Sequence, residues 1–434
     1  MSVKTVSLAA AIGMLLGTTA HATDFGDIFS VRGYGTIGVA HSDENRADFV
    51  ESVYSQPRGT AFTDSLSFDV DSKAAVQVDM KFNDRLSAVV QIISEGNENN
   101  TWDGDINTRY KPSLEWANIS YKLTDEITLR GGRIVLPLLM SAEFRKVGYA
   151  NPMIRPAVEV YGGTPYSSSD GGDISWRKAF GSNVNTVRAW YGGQADRTSI
   201  FQAQIHVAGV SEKFETGDLT VRGAYEHTTF KSAHGFLEAL FPPFIAATSS
   251  LPGGIGANAA AAATDIYHSF DINFTQKIDF YDIGANYDPG NWFVSAEVIR
   301  QSSDKGGLIN GSTAGDIFAG LRIKKFTPYV GIARTATEDR DSPTIPLAGL
   351  PAPLQAFGGI VNGTVKGIVK ASTSQTSISA GVRWDFMKNF DLKAQFDHIM
   401  VGNNSKGLFA NVQPGFPTDG ANVNVISVAV DFVF

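Results

Sequence analysis

Cysteine is absent from the 434 residues. That removes disulfide scaffolds, thiolate zinc sites and cysteine nucleophiles together. Charge is sparse at 18%, and Lys+Arg number 36 against 44 Asp+Glu. The resulting net charge of −8 lacks the basic excess that a nucleic-acid binder carries. Long apolar runs are missing as well. Beyond Ala22 no stretch of 18 uncharged apolar residues occurs, so no helix here is built to cross a bilayer. Histidine is scarce, and His41, His206, His227, His234, His268 and His398 fall in no metal-ligand spacing. Asp103 to Asn107 opens like a calcium loop but has Thr108 and Leu114 where glycine and glutamate are needed. Neither a Gly-x-Ser-x-Gly elbow nor a P-loop is present. The sequence therefore offers no enzyme, no metal site and no cofactor.

What is present is turn-forming and aromatic: 44 glycines and 28 phenylalanines. Residues 1–22 read as a secretory signal peptide, with Lys4 as the positive start, Val6 to Leu16 as the short apolar stretch and Ala20-His21-Ala22 as the cleavage site. Its removal takes Lys4 away and leaves a net charge of −9 on 23–434. An exported chain without helical spans is periplasmic, secreted or a barrel in the outer membrane.

Hydrophobic periodicity decides among these. Ala74, Val76, Val78 and Met80 alternate with Lys73, Gln77 and Asp79. Phe390, Leu392, Ala394 and Phe396 alternate with Asp391, Lys393, Gln395 and Asp397. A spacing of two places each set on one face of a strand. Sixteen such strands are expected, near 28–40, 65–81, 86–94, 113–123, 127–136, 173–180, 184–193, 201–214, 218–228, 279–288, 291–302, 314–324, 326–337, 373–386, 389–400 and 422–434. Seven tight turns alternate with eight longer connections. That is the arrangement of an all-β, up-and-down antiparallel transmembrane β-barrel with both termini on the turn side. Phe82, Phe180, Phe214, Tyr287, Trp292, Phe326, Phe386 and Phe390 flank the turns, as an interfacial girdle requires.

Three short segments resemble the Gram-negative outer-membrane porins. Phe29-Ser30-Val31-Arg32-Gly33-Tyr34-Gly35 is similar to a porin first strand. Leu129-Arg130-Gly131-Gly132-Arg133 is similar to the porin Gly-Arg segment. Phe434 ends an alternating strand, as in the signal read by the barrel-assembly machinery. Arg133 to Pro137 and Val158 to Gly162 resemble a proteobacterial porin subgroup whose third loop departs from the acidic motif of the general porins. The resemblance implies a passive diffusion channel for small hydrophilic solutes and ions in the outer membrane, a homotrimer among lipid and lipopolysaccharide. Substrate preference for small anionic nutrients, or surface binding through the long external loops 229–278 and 338–372, are the alternatives.

A sixteen-strand barrel encloses water, and charged side chains on its lipid face cost about 2–4 kcal/mol each at mid-membrane. The wall cations Arg32, Lys73, Arg130, Arg188, Arg222, Arg322, Arg383 and Lys393 are therefore expected inward. Arg133 shares parity with Ile127 and Leu129 unless Gly131-Gly132 forms a bulge. By resemblance, 137–172 is the loop that folds into the lumen and constricts it, with Glu143, Arg145, Lys146, Arg155, Glu159 and Tyr161 as constriction residues. Glu143 and Glu159 are expected to oppose Arg32, Arg130, Arg188 and Arg383. In 229–278, a helix over Ala233 to Ser250 broken at Pro242-Pro243, a mobile stretch from Leu251 to Ala263, and a strand extension over Ile266 to Phe274 are expected.

Overall fold

The computed structural model describes residues 23–25, 28–56, 58–96, 109–164, 166–197, 202–233, 235–270, 275–303, 309–339 and 341–434. The expected leader and the Asp103 to Asn107 stretch lie outside the described residues.

Sixteen strands make up the wall. The first five are β1 (Phe29–Ser42), β2 (Lys73–Lys81), β3 (Leu86–Glu95), β4 (Ser113–Lys122) and β5 (Ile127–Val135). After a long connection come β6 (Ser168–Phe180), β7 (Asn183–Arg197), β8 (Gln202–Thr216) and β9 (Leu219–Ala233). The rest are β10 (Thr275–Tyr287), β11 (Trp292–Ser303), β12 (Ser312–Leu321), β13 (Phe326–Thr337), β14 (Gln375–Met387), β15 (Phe390–Val401) and β16 (Asn422–Val433). Each is antiparallel to the next, and β1 pairs with both β2 and β16, so the sheet closes on itself. A closed sheet leaves no unpaired edge, which is the condition for strands in hydrocarbon.

Closure is built into the two ends of the chain. Phe434 exchanges both backbone hydrogen bonds with Gly33, and a Cβ at Gly33 would lie 2.2 Å from the Phe434 ring. Gly35 makes the same room for Phe432. The paired glycines of the first strand thus receive the rings of the last.

Alternation sorts the faces as the sequence implies. Val76, Ile119, Ile283, Val298, Val330, Ile378, Phe396 and Ile426 are exposed on the outside. The turn-side aromatics form a continuous string through Phe326, Trp384, Phe386, Phe390 and Phe432, with ring centroids 5.6–6.4 Å apart. In the tight turns Gly181 and Gly217 hold positive φ, which suits a two-residue hairpin connection. Arg133 stays outward: it pairs across the outer face with Asp170 at 2.7 Å, and Gly131-Gly132 does not invert the strand.

Several expectations are corrected. Residues 65–72 are loop rather than strand, because β2 begins only at Lys73. The third connection ends at 167, since β6 begins at Ser168. The helix α2 (Gly235–Ser249) runs unbroken through Pro242 and Pro243, and α3 (Ala257–Ser269) occupies what was expected as mobile chain and strand extension. Residues 271–274 lie outside the described residues. The connection after β13 holds a further helix, α4 (Ala352–Val369). These three helices bury their own core, with Phe241, Phe244, Ala263, Val361 and Val365 at its centre.

Inward polarity is also less uniform than expected. On the loop-side half of β7–β13 the inward face carries Trp190, Ile205, Val207, Phe230, Ile278, Phe280, Ile299 and Phe318, all buried. The cause is the third connection, whose Leu136, Leu138, Leu139 and Val160 pack against them. A second apolar cluster joins Phe49, Val158, Phe409 and Phe416, where the first and last loops fold over the loop-side mouth around a small three-stranded sheet.

Candidate functional site: the lumen and its third loop

The loop 136–167 lies inside the barrel, fixed to the wall by charged contacts around its course. Near its start the Leu138 carbonyl accepts from Arg222 Nη1 at 2.6 Å, and Glu297 on β11 accepts from the Met140 amide at 2.5 Å. Next, Glu143 accepts from Arg188 on β7 at 2.6 Å. Lys146 then donates to Glu95 at 2.8 Å and Glu115 at 2.9 Å, bridging β3 and β4. At Gly148 the backbone lies against β16 and β1; a Cβ there would sit 2.0 Å from Asp431 Oδ1 and 2.6 Å from Thr36 Oγ1. Only glycine permits that approach.

Two wall cations hold the middle of the loop. Lys393, with no exposed surface, donates to the Gly148 carbonyl at 2.7 Å and to the Met153 carbonyl at 3.1 Å. Its charge is met by Asp431 at 2.8 Å. Arg383 donates to the Tyr149 carbonyl at 2.6 Å and lies over the Tyr149 ring at 4.7 Å.

Beyond Met153 the loop returns along the opposite wall. Arg155, 3% exposed, binds Asp71 through two bonds of 2.8 Å, Asp397 at 3.3 Å and Ser427 at 2.5 Å, under the Phe49 ring. A bidentate guanidinium–carboxylate pair combines charge with fixed orientation. The short helix α1 (Val158–Tyr161) follows. Its Glu159 accepts from Gln375 at 2.6 Å and from Ser377, and its Tyr161 hydroxyl donates to Glu297 at 2.5 Å.

The electrostatics of the loop follow from these partners. Desolvation inside the barrel works to raise the Glu143 carboxyl, but Arg188 beside it, together with Arg130 and Lys213, outweighs that and holds it below the ordinary range. Burial likewise opposes charge on Lys146, and Glu115 and Glu95 overcome it, raising the ammonium pKa. Among the described residues Glu159 has no ion-pair partner. Burial raises its carboxyl, only partly offset by the hydrogen bonds from Ser377 and Gln375.

Of the expected constriction pairs, the structure brings together Glu143 and Arg188. Glu159 lies apart from Arg32, Arg130, Arg188 and Arg383, on the neutral polar face of β14. Arg32 pairs with Asp79 at 2.7 Å, Lys73 with Glu51 at 3.1 Å and Arg130 with Asp173 at 2.7 Å. Arg322 pairs with Asp288 at 2.5 Å near the turns. Arg145 is half-buried on the loop between Phe144 and Lys146. Sequence reasoning missed Glu95, Glu115 and Glu297 as anchors of the loop, although inward parity of Glu297 beside Val298 and Ile299 marks a lumen carboxylate. Asp71 precedes β2 and carries no such signal.

Below the loop, toward the tight turns, two cavities open. One of about 710 Å³ lies between Pro137 to Phe144 of the loop and the wall of β6–β14, and one of about 850 Å³ lies against β1–β5. The lumen is thus narrowed by the third loop and open beneath it.

No family model and no curated protein matches the chain. Solved structures do. In vitro-folded OmpT, an outer membrane protein of Vibrio cholerae, is 12% identical and superposes with a TM-score of 0.51 over 96% of this chain and 100% of its own. Salmonella typhi OmpF in complex with daunomycin is 11% identical, with a TM-score of 0.52 over 94% of this chain and 97% of its own. At such identity the likeness is one of fold. What the chain shares with them is the sixteen-stranded barrel of the outer-membrane porins.

Proposed function

We propose that the protein is a passive channel of the Gram-negative outer membrane, admitting small hydrophilic solutes and ions and performing no catalysis. The observation that carries this is the third loop, drawn into the lumen of a closed sixteen-strand barrel above a water-accessible vestibule. A wall of this strand number has room for an aqueous path. The constriction is formed by Glu143 facing Arg188, with Arg145 beside it on the loop, while Lys146, Arg155, Glu159 and Tyr161 hold the loop in place. Residues 1–22 direct export and are cleaved, and Phe434 presents the last strand to the assembly machinery.

Assembly as a homotrimer through the outer face of β1–β5 is supported by the wall itself. The strands β2–β5 have 9–10 residues against 15 in each of β7–β9, so the barrel is low on that side. The Arg133–Asp170 pair lies on this outer face, where lipid contact penalises charge and a neighbouring subunit would cover it.

Uptake of uncharged sugars into liposomes tests the channel. Vesicles holding the refolded barrel should swell at rates falling with sugar size, faster than empty vesicles. No swelling from a folded barrel would move the function to the external helices and favour surface binding.

A further inference from the structure

The whole chain is acidic, yet the space beneath the third loop is not. The cavity on the β6–β14 side is lined by seven Lys and Arg against four Asp and Glu. The cavity against β1–β5 repeats the imbalance, with four cations against two carboxylates. Each carboxylate of the first cavity is already taken: Glu143 by Arg188, Asp288 by Arg322 and Asp385 by Arg383. Glu215 is shared between Lys213 at 3.2 Å and Arg177 at 3.7 Å. Among the described residues Lys324 has no ion pair, while Arg222 meets Asp282 behind the lining at 3.2 Å through Nη1 and leaves its buried Nη2 without a hydrogen-bond partner. In the second cavity Arg85 and Lys122 are likewise without an ion pair among the described residues.

Unmatched cations in a concave, low-dielectric enclosure focus the field and raise the local concentration of anions. Guanidinium groups also match the planar oxygens of carboxylates and phosphates better than those of halides. The volume of about 710 Å³ fits a small organic molecule. Charge supplied from two separate parts of the wall of this cavity, Lys213 on β8 and Lys324 in the turn after β12, favours a solute with more than one negative group.

We propose that the turn-side vestibule is a binding site for small multivalent oxyanions, di- and tricarboxylates or phosphate esters, and makes the channel anion-preferring. The proposal rests on the channel reading and names its solute class.

Planar-bilayer currents in a potassium chloride gradient, with citrate added to either side, test it. The reversal potential should report chloride over potassium. Citrate on the turn side should reduce the current at concentrations about tenfold lower than on the loop side. The exposed-rim variant K324Q should weaken that block severalfold, and K213E/K324E should abolish it and shift the reversal potential toward potassium. Heat-modifiable mobility on gels establishes that each variant is folded, and K324Q alone serves if the double variant is not. Potassium preference in the parent, equal block from both sides, or block unchanged in the folded variants would overturn the anion site while leaving the channel intact. A folded barrel with no current at all would instead overturn the channel reading beneath it.

Discussion

Lys393 has no contact with water, yet its ammonium is matched by Asp431 and by two carbonyls of the third loop. Buried charge is tolerated on those terms, and breaking such a pair costs about 3–5 kcal/mol. Glu159 is the opposite case, a buried carboxylate with hydrogen bonds but no ion pair among the described residues. Its raised carboxyl has a definite sign for stability. A carboxylate whose folded pKa is raised adds stability below the ordinary value of about 4.3 and loses it as pH climbs through the folded value. Glu159→Gln should therefore stabilise the barrel at pH 7 by about 1–3 kcal/mol, the scale of an incompletely satisfied buried polar group. Its advantage over the parent in thermal unfolding should shrink as pH falls from 7 through the ordinary carboxylate value of about 4.3. A constant or growing advantage would contradict the assignment. At the residue scale the cations were legible and their partners were not. Parity alone sends Arg130, Arg188, Arg222 and Arg383 inward, whereas Arg155 and Ser427 are separated by 272 residues and meet only through the fold.

The wall strands were legible because a lipid face and an inner face impose a period of two on every strand. Strand ends were less so, since the barrel continues above the membrane: β9 extends to Ala233, where the change to polar residues suggests an earlier end. Where both faces are apolar, as at Ile278, Phe280, Tyr281 and Ile283, the pattern was carrying a second message. The inward pair packs against the third loop. The helices of the long loops were hidden by composition. Val361, Val365 and Val369 recur at helical spacing, but four glycines interrupt α4 and its first turn holds no acidic residue. In α2 the two prolines read as a break. The third loop as an element depends on its closest approach to the wall. Gly148→Ala places a methyl group against Asp431 and Thr36 and should cost about 1–3 kcal/mol, as overpacking does. A lower urea midpoint with an unchanged slope would show this; an unchanged midpoint would mean the loop is not held there.

At the scale of the whole molecule, the barrel is packed at one end and open at the other. The first, third and last loops bury apolar clusters in the loop-side half. The turn-side half keeps its cavities and its surplus of cations. Net charge alone conceals this division, because an overall excess of acid coexists with a basic vestibule. Single-channel current through the refolded 23–434 chain in a planar bilayer tests the central claim most directly. The account predicts discrete, ohmic steps, arriving in threes if the barrel inserts as a trimer. A heat-modifiable, correctly folded barrel that never conducts would contradict it.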